Sequence, residues 1–171
     1  QLKPIADAHS RVLPIQVLAA QVYLAAGRAD DAVATATRTM QVFPTDAELG
    51  RIATNVLMTV GRPDDALEAA QKWKERLGSA PRPADETIAQ IQLVRAKPAE
   101  AKGVLQRYIQ AATSDPDNNL PLMVQYATAC ALMGEDAQAK DIFRPLLERA
   151  PQWRQCWMRT ALHSVLDAEK A

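Results

Sequence analysis

The chain has 171 residues, 20 basic and 20 acidic side chains and no formal net charge; 48% of it is apolar and 5% aromatic. The apolar fraction supports a buried core, and the length suits one domain or a short array of repeats. Neutrality disfavours a nucleic-acid binder, which usually carries a basic stripe, no run approaches the ~20 apolar residues of a membrane span, and two cysteines cannot build a disulfide scaffold.

Ala, Leu, Gln, Glu and Arg outweigh β-branched and aromatic residues, which predicts helix. Residues 1–13 are ambiguous: Pro4 and Pro14 bracket a short helix or the remnant of a preceding repeat. From there the apolar spacing predicts helices at 15–26, 29–42, 46–60, 63–77, 84–95, 98–114, 119–133, 135–149 and 152–168. Segment 78–84 reads as a loop, and Asp115-Pro116-Asp117-Asn118-Asn119 as a loop-like insertion. The chain opens at Gln1 with neither Met nor a leader, which reads as a piece of a longer protein. That leaves the compartment open, the cytoplasm ahead of the periplasm.

The helices come in pairs because a short motif recurs. Gly27-Arg28-Ala29-Asp30-Asp31-Ala32 returns 34 residues later as Gly61-Arg62-Pro63-Asp64-Asp65-Ala66. A looser copy, Ala96 to Ala101, follows after 35 residues, and a fourth, Gly134 to Ala139, after 38. Gly supplies the left-handed residue that ends one helix. Pro or Asp then suits the start of the next, where a missing donor costs nothing and acids meet the positive dipole end. Asp30-Asp31 and Asp64-Asp65 are therefore first-turn acids rather than catalytic pairs. Ala20, Ala32, Ala66, Ala127 and Ala139 let the paired helices approach closely.

A helix-turn-helix repeat of this period resembles the tetratricopeptide repeat. Ala139, Phe143 and Pro151 match that family's small, bulky and proline positions, and Ala32 and Pro44 match two of them. Tyr23 stands four before Gly27, where the family has Tyr; the signature Trp and Leu-Gly of the first helix are absent, and the third copy has Ala96 in place of the turn glycine. The resemblance implies an all-α, right-handed superhelical solenoid of antiparallel helix pairs. It would form a single domain, 1–171, with repeats at about 13–46, 47–81, 82–118 and 119–151 and a capping helix at 152–169.

The resemblance also implies a concave groove lined by the first helix of each pair, taking a peptide or helix of a protein partner. Its candidate residues are Val17, Gln21 and Leu24; Arg51, Asn55 and Met58; Glu86, Gln90 and Leu93; and Val124, Thr128 and Ala131. Arg51 and Asn55 look like part of a clamp for a peptide's terminal carboxylate. Thr87, Pro121 and Gln125 stand where its further amide or basic groups would sit, so the clamp is incomplete.

Little in the chain suggests chemistry. His9 and His163 have no metal-ligand spacing, and neither a phosphate loop nor a nucleophile elbow is present, so no catalytic residue, metal or cofactor is expected. Cys130 and Cys156 read as buried free thiols, with a disulfide between the last two units as the alternative; no basic residue flanks Cys130 in sequence to activate it. Trp153 and Trp157 either cover the end of the core or form a contact surface, and Lys72, Lys74 and Arg76 read as a solvated face. The leading function is a non-catalytic protein-interaction scaffold. The alternatives are a substrate-recruiting or spacer arm of a larger enzyme, a periplasmic export or secretion scaffold, and an RNA-binding repeat, which neutrality disfavours. Exposed ends of such an array invite end-to-end self-association.

Overall fold

A computed structural model describes residues 2–149, and all regular structure among them is helical. The helices are α1 (Leu2–Ala8), α2 (Leu13–Ala25), α3 (Ala29–Val42), α4 (Ala47–Thr59), α5 (Pro63–Leu77), α6 (Arg82–Val94), α7 (Pro98–Ser114), α8 (Pro116–Leu132) and α9 (Asp136–Arg149). The expected helix at 152–168, with Trp153, Trp157, Cys156 and His163, lies outside the described residues. The chain divides into two compact units, Gln1–Ile91 and Gln92–Ala171.

The turns follow from the recurring motif. Gly27, Gly61 and Gly134 have φ of 69°, 76° and 76°, and Ala96 takes the same left-handed conformation at 55°. Each turn closes with the same two backbone bonds. Arg28 N–H donates to Tyr23 O at 2.8 Å and Gly27 N–H to Leu24 O at 3.0 Å. Arg62 and Gly61, Lys97 and Ala96, and Glu135 and Gly134 repeat this on Leu57 and Met58, Gln92 and Leu93, and Cys130 and Ala131. This six-to-one, five-to-two pattern satisfies carbonyls that the helix end would otherwise orphan. Arg28 then pairs with Asp31, and Arg62 with Asp65, across the first turn of the next helix. These acids are first-turn residues with basic neighbours, as their spacing implied.

Ala96 is the costly member of the set, because a Cβ disfavours left-handed backbone by about 1–2 kcal/mol. Ala96→Gly is expected to stabilise the second unit by about 0.5–1 kcal/mol, after allowing for glycine's looser unfolded state. Gly61→Ala, with the same turn and open space around a new Cβ, is expected to lose a similar amount. Urea unfolding of the two variants reads both signs.

In the first unit α2 packs on α1, α3 and α4, and α4 on α3 and α5. Ala19, Ala20, Ala32, Ala53, Ala66 and Ala70 are at most 1% exposed, so the interior is made largely of small side chains under close helix approach. Trp73 fills it: its indole is fully buried and lies against Gly50 of α4, where a Cβ would stand 2.2 Å from Cε2. Asp46 caps α4 by accepting from Leu49 N at 2.8 Å. In the second unit α8 packs on α7 and α9 around Leu105, Leu122, Met123, Tyr126, Ala127 and Phe143.

Two expectations need correction. The insertion at 115–119 is helix rather than loop: α8 starts at Pro116, with Pro in its first turn, and both α7 and α8 run to 17 residues. Asn119 Nδ2 donates to Asp115 O at 2.6 Å and Asn118 Nδ2 to Asp115 Oδ2 at 2.9 Å, so the turn formers close the helix start. The basic run on α5 is only partly a solvated face. Lys72 pairs with Glu68 on the surface. Lys74, however, reaches the fully buried Asp85 of α6 at 2.8 Å, and Arg76 donates to Met40 O at 3.2 Å.

Candidate functional site

The candidate groove residues occupy three fixed positions of the repeat, ten, six and three residues before the turn residue. That spacing places each triplet on one face of its helix. Gln21, Arg51 and Gln90 are exposed; Val17, Leu24, Asn55, Met58, Glu86, Leu93, Val124, Thr128 and Ala131 are half-buried; none belongs to the buried core. The arginine, acid and valines lead each triplet, an amide or hydroxyl (Gln21, Asn55, Gln90, Thr128) takes the middle, and Leu24, Met58, Leu93 and Ala131 close it. In the first unit α2 and α4 pack together, which makes Gln21 and Asn55 equivalents on neighbouring helices. Glu86 and Gln90 lie on α6 in the same unit, while Leu93, Val124 and Thr128 belong to the second.

Local bonds set what these side chains offer. Arg51 is held by Glu48, with Nε 3.2 Å from Oε2 and a second bond from Nη2 to Oε1. That partner draws the Glu48 carboxyl below its ordinary range. The guanidinium is therefore already engaged, whereas a terminal-carboxylate clamp would present it to the ligand. Thr87 is buried and donates to Pro83 O at 3.0 Å; Pro121 lies inside α8; the Gln125 Oε1 is shielded and accepts no hydrogen bond from the described residues. Glu86 accepts from Arg82 at 2.7 Å, and Thr128 donates to Val124 O at 2.8 Å within its own helix. The face thus combines amides and hydroxyls with flanking apolar side chains. No cluster of His, Cys, Asp or Glu suited to a metal ion occurs among the described residues, and no described helix is long and apolar enough to cross a membrane.

The side-chain clusters that sequence reasoning missed lie inside the units. Gln16, 1% exposed, donates through Nε2 to Ala6 O at 2.6 Å and His9 O at 3.0 Å, tying α1 to α2. In the second unit Tyr126 donates to Gln106 Oε1 at 2.5 Å and accepts from Gln138 Nε2 at 3.3 Å. Lys102 of α7 pairs with Glu135, bonds Gln138 Oε1 at 3.0 Å and stands over the Tyr126 ring. The bond to Glu135 raises the Lys102 pKa and lowers that of Glu135. Cys130 is a free, buried thiol beside Gln138 Oε1 at 3.5 Å. Burial pushes it up to about 11 against the smaller opposing pull of Lys102. A basic residue does act on this thiol, then, but from a facing helix where sequence adjacency does not show it, and burial wins.

The fold is an all-α helical repeat of the tetratricopeptide type. Solved structures share it. The chain superposes on MamA with a TM-score of 0.65 at 15% identity, covering 91% of this chain and 88% of that one. A second MamA structure gives 0.62 at 16% identity over 88% and 80%. PilW, described as a widely conserved type IV pilus biogenesis factor, gives 0.64 at 16% identity over 88% and 67%. At such identities the likeness is one of fold. No protein-family model and no curated protein matches the chain.

Proposed function

We propose that the chain is a non-catalytic interaction module that holds an extended segment of a protein partner on the first-helix face. The observation that carries this reading is the recurrence of an amide side chain at one repeat position of the first unit, Gln21, Asn55 and Gln90, beside apolar Leu24 and Met58. Amides serve both the N–H and the C=O of a peptide backbone, and the apolar neighbours take alternate side chains. The engagement of Arg51 by Glu48 favours backbone and side-chain contacts over capture of a terminal carboxylate. The peptide's end chemistry should therefore matter little: free-acid and amidated forms of a bound peptide are expected to agree within about twofold.

The test is affinity capture from source lysate with the wild-type chain and an Arg51→Ala/Asn55→Ala variant of unchanged Tm. A partner held by the wild type and lost, at least tenfold, from the variant supports the face. Equal capture by both removes it.

A further inference from the structure

The turn edge of the second unit carries apolar side chains that the same repeat positions lack in the first. Two residues before each turn residue stand Ala25, Thr59, Val94 and Leu132, all of them exposed. The position is open throughout the repeat, so the fold asks for nothing bulky there. Small or polar residues fill it in the first unit. In the second, Val94 and Leu132 are 64% and 60% exposed, and Met133 beside Leu132 is 41% exposed. Exposed apolar residues scattered singly need no explanation, but these share one edge, because the α6–α7 and α8–α9 turns are neighbours. Lys102, near the start of α7, pairs with Glu135 at the next turn and bonds Gln138 Oε1 at 3.0 Å.

Two further observations fall on that edge. Ala96 is exposed and holds a φ of 55°, where the other turns have glycine. A methyl is thus kept against backbone strain at a place where it adds little to the core. The charges are also unlike those of the other turns. Arg28 and Arg62, at the repeat position of Lys97, pair with Asp31 and Asp65. Lys97 is exposed and does not pair with Glu100, which stands where those acids do, and Asp136 at the start of α9 likewise has no ion pair among the described residues. One turn therefore presents Val94, Ala96 and an unpaired base, and the next presents Leu132, Met133 and an unpaired acid.

Such a surface is its own complement under a two-fold axis. We propose that this edge joins two copies of the chain, Val94 and Ala96 of each lying against Leu132 and Met133 of the other, with Lys97 facing the partner's Asp136. A second copy is the occupant because the axis sets base against acid twice over and brings no like charges together. The contact uses turns, not the helix faces through which repeats stack. Three apolar side chains and a methyl per copy cover less than the roughly 800 Å² per partner of a standard stable interface. The dimer is accordingly weak, with a Kd of about 10–100 µM.

Sedimentation equilibrium of the 171-residue chain in reducing buffer, from well below to well above that concentration, is the test. The expected result is a reversible monomer–dimer equilibrium. Leu132→Asp abolishes the dimer at the parent's urea midpoint. Lys97→Glu weakens it at least tenfold, because the reversal acts at two symmetric pairs. Adding Asp136→Lys to Lys97→Glu restores the dimer to within about threefold of the parent, since the swapped charges meet again across the axis. Ala96→Gly raises the urea midpoint yet weakens the dimer about threefold or more, because each copy loses a methyl from the contact; an alanine outside the contact would move only the midpoint. A chain that stays monomeric throughout overturns the proposal and leaves the edge to a different partner. So does a dimer that Leu132→Asp and Lys97→Glu leave intact, as one formed by stacked ends would be, and so does a charge swap that fails to rescue.

Discussion

Gly50→Ala is expected to destabilise the first unit by about 2 kcal/mol, although Ala is the better helix former. Two terms oppose each other. Replacing a mid-helix glycine by alanine gains about 1 kcal/mol of propensity. The new methyl, however, would stand 2.2 and 2.3 Å from Cε2 and Cδ2 of Trp73. That indole is fully buried and cannot swing away as the tip of a flexible chain would. Overpacking of this kind costs about 1–3 kcal/mol, and a contact this short belongs at or beyond the upper end. Gly103 supplies the control: it lies inside α7 with nothing within 4 Å of a new Cβ, so Gly103→Ala is expected to stabilise by about 0.5–1 kcal/mol. Trp73→Leu should rescue Gly50→Ala, giving a coupling of about 1 kcal/mol or more in a double-mutant cycle. The same pair of register positions holds Gln16 and Thr39 in the preceding helix pair, another combination of a larger with a smaller side chain. Urea unfolding of the four proteins decides the matter. Additive single effects would show that the glycine is there for some other reason.

The second large effect is at Cys130. Its thiol is fully buried and pushed up to about 11 from an ordinary 9.0, mainly by desolvation. The thiolate is the reactive species. At pH 8 the folded protein therefore carries about a hundredfold less thiolate at this position than the unfolded chain, and steric burial slows reagents further. In a Cys156→Ser background, labelling at pH 8 should run at least a hundredfold slower in buffer than in denaturant. It should climb about tenfold per pH unit towards pH 11, because the neutral form dominates below that value. Labelling at the unfolded rate, or a rate flat from pH 7 to 9, would mean that Lys102 outweighs burial and that the thiol is activated.

What was legible in the sequence were features written within a few residues of each other. Gly27, Gly61 and Gly134 announced left-handed turns, and the acids after them announced helix starts. Ala96 stood out at once as the exception, and it adopts the strained conformation. The alanines facing across each pair are buried as their spacing implied. Where the reading fell short, the deciding contact joins residues from different helices. Gly50 looks unfavourable within α4 until Trp73, on the next helix, is seen to fill its space. Lys102 and Glu135 meet across 33 residues, and Lys74 finds Asp85 across the α5–α6 loop. Residues 115–119 carry turn formers, yet Asp115 stands at the N-cap position of a helix that Pro116 opens, its carboxylate taken by the Asn118 side chain. The seven residues of α1 are too few to show a helical period, and only the repeated hydrogen bonds of the following turn assign them to the repeat.

The candidate face was legible as positions, because a fixed offset from the turn residue picks out one stripe on each first helix. The engagement of Arg51 was not: Glu48 lies three residues earlier on the same helix, and only its side-chain geometry shows that the pair forms.

The measurement that tests the account most directly is site-specific photo-crosslinking in source lysate. A photoreactive side chain is placed singly at Gln21, Asn55 and Gln90, and for comparison at Gln41, Glu68 and Gln71 on exposed faces of α3 and α5. The account predicts that one partner is captured at the first three positions, through a single continuous stretch of its sequence, and that the second three yield background only. Capture from α3 and α5, with silence at Gln21, Asn55 and Gln90, would contradict it.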